Sequence, residues 1–290
     1  NSTIVIEKID VSAEPERAAK LFEQYGVPEA KQITPIVFLN ETYLSGIDAI
    51  ERDLADMVAQ GMAIGGETVL DDDLFGEKTF EKAERKMISR AIGKAIGNAG
   101  LEERDIGAII AGDLLNQIIS AGFAARNLGI PFYGLYGACS TIGESLLLAS
   151  MALCGGAGNY ALTVTSSHFA GAEKQFRFPL PYGNQRPLSA TWTVVGSGAV
   201  IVAAEDKKGR AMAKITGGTP GRIIDFGVKD SMNMGACMAP AACDTICQHL
   251  KDFNRQPTEY DAIVTGDLGK VGQQILLKLV AEHGYDISDR

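Results

Sequence analysis

Ile109-Ile110-Ala111-Gly112-Asp113-Leu114 recurs 154 positions further on as Ile263-Val264-Thr265-Gly266-Asp267-Leu268. The same offset carries backwards without a gap: Ile92 and Ile96, four apart on a helix-patterned stretch, fall on Ile246 and Leu250. Each copy reads as a helix, an acidic connection, a short apolar strand and a Gly-Asp-Leu turn. A repeat that carries helix periodicity together with a turn predicts two duplicated halves. Within the first half, residues 130–136 are apolar and aromatic and read as a buried strand. Residues 142–154 are an apolar run long enough for a helix, stopped by Gly155-Gly156. Residues 158–167 and 196–203 supply two more strands. Alternating strands and helices predict an α/β fold on a mixed or parallel sheet.

Between the strand at 130–136 and the helix at 142–154 stands Gly137-Ala138-Cys139-Ser140-Thr141. A lone thiol at a helix start faces the positive end of the helix dipole, which favours the thiolate and predicts a lowered pKa. Gly137 and Ala138 leave the backbone open to a ligand, and N–H groups at a helix start suit an anion. The other reading of Cys139 is a buried structural cysteine. The chain has 5 cysteines, an odd count and no disulfide framework, which suits a reducing compartment. Cys237, Cys243 and Cys247 crowd a helix expected to begin near Pro240, with Cys243 and Cys247 four apart on one face and His249 close by. They read either as a metal site or as small hydrophobes. The apolar surroundings (Ala239, Ala241, Ala242, Ile246, Leu250) favour the second, so no metal and no cofactor is expected.

The chain divides on the page into a piece at 1–65, a linker at 66–76 and a larger domain at 77–290. The first piece reads as a strand at 3–11, a helix at 14–25, a strand at 36–39, a turn at Asn40-Glu41, a return strand at Tyr43-Leu44 and a helix at 47–62. With Thr34-Pro35 before its third element, this order resembles the C-terminal part of a thioredoxin-like domain. In that family the proline at the position of Pro35 borders the active site; alternatively Pro35 simply opens an edge strand. The Cys-x-x-Cys of that family is absent, which argues against redox activity. Asp71-Asp72-Asp73 in the linker reads as a solvated loop or, with ligands from elsewhere, a Ca²⁺ or Mg²⁺ contact.

At 290 residues, 46% hydrophobic and 22% charged, the composition is that of a globular protein. A net charge of −9 argues against nucleic acid as a partner. Residues 146–154 are too few, and too closely flanked by glycines, for a membrane span, and no signal peptide is read.

Two duplicated α/β halves with a cysteine opening a helix in the first resemble the thiolase and ketoacyl-synthase superfamily. Within it, the match to the stage V sporulation protein AD family is closer. It is carried by Ala111-Gly112-Asp113-Leu114-Leu115-Asn116-Gln117, Gly137-Ala138-Cys139-Ser140-Thr141, Thr165-Ser166-Ser167-His168 and Gln175-Phe176-Arg177-Phe178-Pro179. Gly196-Ser197-Gly198-Ala199-Val200, Met238-Ala239-Pro240-Ala241-Ala242 and Thr265-Gly266-Asp267-Leu268 complete it. The resemblance covers roughly 72–285 and implies a thiolase-like duplicated α/β layered fold. It also implies binding of dipicolinic acid (pyridine-2,6-dicarboxylate), work alongside other stage V sporulation proteins, a possible homodimer, and a place in the cytoplasm or at the spore inner membrane. The chain departs from the family where the thioredoxin-like piece replaces its N-terminal strand region. It also stops at Arg290, so the second half is expected to be incomplete, with an unpaired sheet edge.

Catalytic members of the superfamily pair their cysteine with a histidine from the second half. The matching turn here is Gly266-Asp267-Leu268-Gly269, which offers Asp267 instead. A carboxylate beside a thiolate repels it and raises its pKa. Cys139 therefore reads as a nucleophile position of doubtful activity, with an acyl-thioester enzyme as the alternative function. An interaction module, with the N-terminal piece docking to another chain, is the third reading. Of the histidines, His168 follows a strand end and is the candidate for the site; His249 and His283 read as unremarkable. A planar dicarboxylate needs cations for its carboxylates and an aromatic wall for its ring. The stretch 173–186, read as a loop, holds Lys174, Arg177 and Arg186 among Phe176, Phe178 and Tyr182. Arg177 is the expected carboxylate clamp, unless these cations are solvated or paired with Glu173. Ser140, Ser167 and the N–H groups near Cys139 are the candidates for the second carboxylate. Asp113 and Asn116 shape the pocket floor, or Asp113 caps the next helix.

Overall fold

The computed structural model describes residues 36–39, 42–45, 72–176, 189–191, 193–205 and 211–290. The chain forms two compact units, Asn1–Glu67 and Thr68–Arg290. In the first, β1 (Ile36–Leu39) and β2 (Thr42–Ser45) pair antiparallel, Phe38 opposite Tyr43. The strand pairing is that of the expected hairpin; its turn residues Asn40 and Glu41 lie outside the described residues. The strand and helices expected at 3–11, 14–25 and 47–62, and Thr34-Pro35, lie outside the described residues.

The second unit opens on α1 (Phe80–Ala99). The Thr79 hydroxyl accepts the N–H of Lys82 at its start, and Gly100, left-handed at φ 60°, closes its end. Met87, Ile88, Ile92, Ala95 and Ile96 recur at helical spacing and are buried. A 3-10 turn, Glu103–Asp105, leads into β3 (Ile106–Gly112). There follow α2 (Ile119–Ala125), β4 (Phe132–Gly134), α3 (Thr141–Cys154), β5 (Tyr160–Ser167), α4 (Phe169–Phe176) and β6 (Gly196–Ala203). The four strands of this unit line up as β4-β3-β5-β6, the first three parallel and β6 antiparallel to β5. Parallel neighbours need helical crossovers, and these cover the sheet. Ile109 and Ala111 of β3 join Leu162 and Val164 of β5 in one core with α1 and α2. Ile110 points the other way, to Leu135, Ala149 and Leu153. A register shift between Ile106 and Ala108 turns Ile106 onto the face of Ile109.

The strand expected at 130–136 is shorter and more exposed than the sequence pattern predicts. It pairs only over Phe132–Gly134, at the sheet edge, and Tyr133 and Tyr136 are more than half exposed (57% and 58%). An edge strand has one neighbour, and its side chains are covered only where a helix reaches them.

The second half of the repeat is two helices, α5 (Met234–Asp252) and α6 (Gly269–Glu282). The 154-residue offset holds at element level: α1 starts at Phe80 and α5 at Met234, and the 3-10 turn Glu103–Asp105 recurs as Pro257–Glu259. Both turns open with a capping box, from Glu102 and Gln256. The third element differs. Residues 263–268 form no strand, and Val264 is 75% exposed, because no described strand lies beside them to complete a ladder. The helix expected to begin near Pro240 begins six residues earlier. The Asn233 side chain accepts the N–H of Ala236 there, and Pro240 sits inside the helix. The two helices meet backbone to backbone: a Cβ on Gly235 would lie 2.8 Å from the Cα of Gly272. Among the described residues no helix is long and apolar enough to cross a membrane.

Candidate functional site

Cys139 lies in a 3-10 turn, Ala138–Ser140, that runs directly into α3. The turn is tight: Ala138 has φ 48°, a conformation that costs a non-glycine residue about 1 kcal/mol or more. The N–H and hydroxyl of Ser140 both donate to the Gly137 carbonyl, at 3.0 and 2.7 Å, and the N–H of Thr141 donates to Ala138. Several donors at this helix start are therefore taken up by the turn. Gly137 leaves room for the Glu144 carboxylate: a Cβ there would be 2.7 Å from its Oε2. Glu144 stands in the first turn of α3, where the helix dipole favours it.

Across from Cys139 is the turn the repeat singles out. A Cβ on Gly266 would lie 2.6 Å from the Cys139 Cβ and 3.4 Å from its Sγ, with the Met238 methyl beside them. Burial of the thiol among these groups pushes its pKa up, the Asp267 carboxylate pushes it further, and only its own N–H opposes them. Solvent still reaches the residue, so the thiol is crowded rather than sealed. The lowered pKa expected from the helix dipole does not hold. The turn that faces Cys139 carries Asp267, as the repeat predicts.

His168 is 1% exposed and belongs to the packing where β5 meets the start of α1. Its Nε2 is 2.9 Å from the Asp73 carbonyl, and its ring stacks on Phe80 at 4.9 Å. A carbonyl only accepts, so Nε2 carries the proton and Nδ1 keeps a bare lone pair in the neutral ring. Nδ1 has no hydrogen-bond partner among the described residues. The Ser167 hydroxyl donates to Val194 at 2.6 Å. Asp113 is buried. Its two oxygens accept the N–H groups of Leu115 (2.8 Å) and Ala121 (2.7 Å), so it caps α2 from outside the helix. Burial nevertheless pushes its carboxyl up. The Asn116 side chain is exposed, while its backbone N–H donates to Gln175.

Arg177, Phe178, Tyr182 and Arg186 lie outside the described residues. The start of the stretch read as a loop is helical: Glu173, Lys174 and Phe176 belong to α4, because the glycines and prolines that break helices begin only beyond them. Lys174 pairs with Glu81, while the buried Glu173 accepts the Thr193 hydroxyl. Of the linker acids, Asp72 accepts the N–H groups of Leu74 and Gly76 and shapes a turn.

Two groups escape sequence reasoning. Glu144 looks like any first-turn acid of a helix. Glu84 carries a stronger signal, being a charge inside the apolar stripe of α1, next to Ala83 and one turn from Met87 and Ile88. It is fully buried, accepts the hydroxyls of Ser166 (2.8 Å) and Ser120 (3.3 Å), and its pKa is pushed up to about 7 by burial.

The fold is similar to that of OleA from Xanthomonas campestris. A variant of that protein bound with cerulenin superposes with a TM-score of 0.56 at 15% identity, over 98% of this chain and 77% of that one. A second crystal structure of an OleA variant gives 0.53 at 14% identity, over 98% of this chain and 78% of that one. These likenesses, with the mixed four-stranded sheet, show a thiolase-like α/β fold. Stage V sporulation protein AD of Bacillus subtilis (strain 168) is 45% identical over 214 residues, which are 74% of this chain and 62% of the relative. The chain thus spans less than two thirds of that relative's length. The family described as Stage V sporulation protein AD matches residues 56–290, the whole described layered unit from α1 to α6 included, and the chain belongs to this family of sporulation proteins.

Proposed function

We propose that this chain binds dipicolinic acid for its uptake into the developing spore, and does so without thioester chemistry at Cys139. The observation that carries the non-catalytic part is the turn facing Cys139. A thiolase-type reaction needs a thiolate and a cation or donor for the oxyanion. Here the thiol meets Gly266 and the Asp267 carboxylate, and its pKa is raised. The ligand follows from membership of the family. A dianion at this position needs more positive charge than the turn offers, since Glu144 and Asp267 both stand near it. Arg177 is the proposed source, because a guanidinium fork fits a carboxylate and Lys174 is already paired with Glu81.

Titration calorimetry with dipicolinate tests this. The wild type is expected to bind saturably, and Arg177→Ala to bind roughly 10–100-fold more weakly, the loss of one charge-assisted contact. No saturable binding by the folded wild type would sink the ligand assignment; an unchanged affinity in the variant would sink only the role of Arg177. Incubation with acyl-CoA is expected to leave the intact mass unchanged, and an acyl adduct on Cys139 would overturn the non-catalytic reading.

The partners proposed with this role are other stage V sporulation proteins and a second copy of the chain. The exposed edge strand β4, with Tyr133 outermost, supports the second. Sedimentation velocity is expected to find a dimer that Tyr133→Lys dissociates; a wild-type monomer at tens of micromolar refutes it.

A further inference from the structure

We infer that Cys243, Cys247 and His283 form a binding site for Zn²⁺, with three protein ligands and a fourth position open to solvent. The two cysteines are one turn apart on α5, and His283 caps the C-terminal end of α6. The sulfurs are 3.9 Å apart, and one ring nitrogen of His283 lies within 4.8 Å of both. In a tetrahedral site with Zn–S bonds of about 2.3 Å, two sulfurs stand roughly 3.8 Å apart. The pair is therefore already spaced for a shared ion. His283 is exposed and stands at a helix end, so its ring is not fixed by core packing.

Other roles for the pair fit less well. Residues four apart on a helix hold their Cβ atoms about 5–6 Å apart, beyond the roughly 4 Å of a disulfide, so these thiols cannot bridge without unwinding α5. Packing alone explains two buried sulfurs in the core between α5 and α6. It does not by itself bring the His283 imidazole, which also faces the Asp244 carboxylate, to the same point. The histidine expected from sequence spacing, His249, is engaged elsewhere, by Thr219 at 3.0 Å and Tyr260 at 2.8 Å.

Beside the three donors is a cavity of about 300 Å³ rimmed by Arg222, Asp244 and Lys251. Asp244 is committed to Arg222 through two contacts, at 3.0 and 2.6 Å, and supplies no ligand. The donors are thus two sulfurs and one nitrogen. That set suits Zn²⁺ and excludes Ca²⁺ and Mg²⁺, which require oxygen. Two thiolates neutralise the ion, and Lys251 at the rim favours water or a small anion in the fourth position.

The full chain, stripped of metal by chelation and kept reduced, is to be titrated with Co²⁺ and then Zn²⁺. One equivalent of Co²⁺ is expected to give tetrahedral d–d bands and a thiolate-to-cobalt charge-transfer band, both bleached by Zn²⁺. His283→Ala, which alters an exposed side chain, is expected to weaken Co²⁺ binding at least about 10-fold. Cys243→Ser and Cys247→Ser should each reduce the charge-transfer band, while Cys139→Ser and Cys237→Ser leave the spectrum unchanged. A folded wild type without these bands overturns the site. So do bands that persist unchanged in Cys243→Ser and Cys247→Ser, or that disappear in Cys139→Ser.

Discussion

Gly112→Ala is expected to destabilise the larger unit by roughly 3 kcal/mol, and Gly93→Ala to stabilise it by about 0.5–1 kcal/mol, although the chemical change is identical. Gly112 ends β3, where the chain turns beneath the Cys139 segment. A Cβ there would lie 2.2 Å from the Leu135 carbonyl oxygen and 2.8 Å from a Thr141 methyl. The first of these is backbone, which cannot rotate away. Relief requires β4 to move off β3, stretching the Leu135 N–H to Ala111 carbonyl bond of 2.9 Å, or requires α3 to shift with Thr141. Either movement displaces Cys139, so the substitution also tests how firmly the turn is held. Gly93 stands mid-helix on the exposed side of α1, and a Cβ there meets nothing within 4 Å. Its replacement by alanine only removes backbone freedom from the unfolded chain. Urea midpoints of the two variants against wild type are the measurement. A Gly112→Ala variant as stable as wild type means that β4 and α3 yield easily, and would remove the reason for a glycine there.

The contrast between these two glycines also marks what a sequence discloses. Local chemistry is readable where it acts alone: the spacing of Ile92 and Ile96 marks α1, Gly155 stops α3, and strands β5 and β6 follow their runs of β-branched residues. The repeat is readable further, because duplicated halves keep their boundaries, and it places Asp267 opposite Cys139. What failed depends on neighbours distant in sequence. Residues 263–268 have strand composition but no strand to pair with. Residues 130–136 have a core composition but lie on an edge. His283 and Cys243 meet only because α6 packs back on α5, and spacing along α5 alone pointed to His249 instead. The start of α5 lies six residues before Pro240, because Asn233 already supplies the cap.

Stability of the larger unit is expected to fall as pH rises from about 5 to 8, with Glu84 as a principal cause. Its carboxyl is buried beneath α1, held by Ser166 and Ser120, with pKa raised to about 7 by burial and, less, by Asp113. In the unfolded chain the same group titrates near 4.5. The folded form therefore holds a proton that the unfolded form has lost between these values. Its favourable contribution is complete below pH 4.5 and disappears as pH passes through 7. A shift of this size corresponds to roughly 3 kcal/mol. Glu84→Gln removes the titration while keeping a side chain of the same shape, whose amide can donate to the serine oxygens that now act as donors. The variant is expected to match wild type near pH 5 and to exceed it progressively, by on the order of 3 kcal/mol, at pH 8. Asp113, also raised by burial, is present in both proteins, so its own contribution cancels in their difference, which keeps Glu84 and its coupling to Asp113. Urea unfolding at several pH values measures that difference. Parallel curves across this range would show that Glu84 stays ionised in the folded protein, and that solvent or the serines compensate its charge fully.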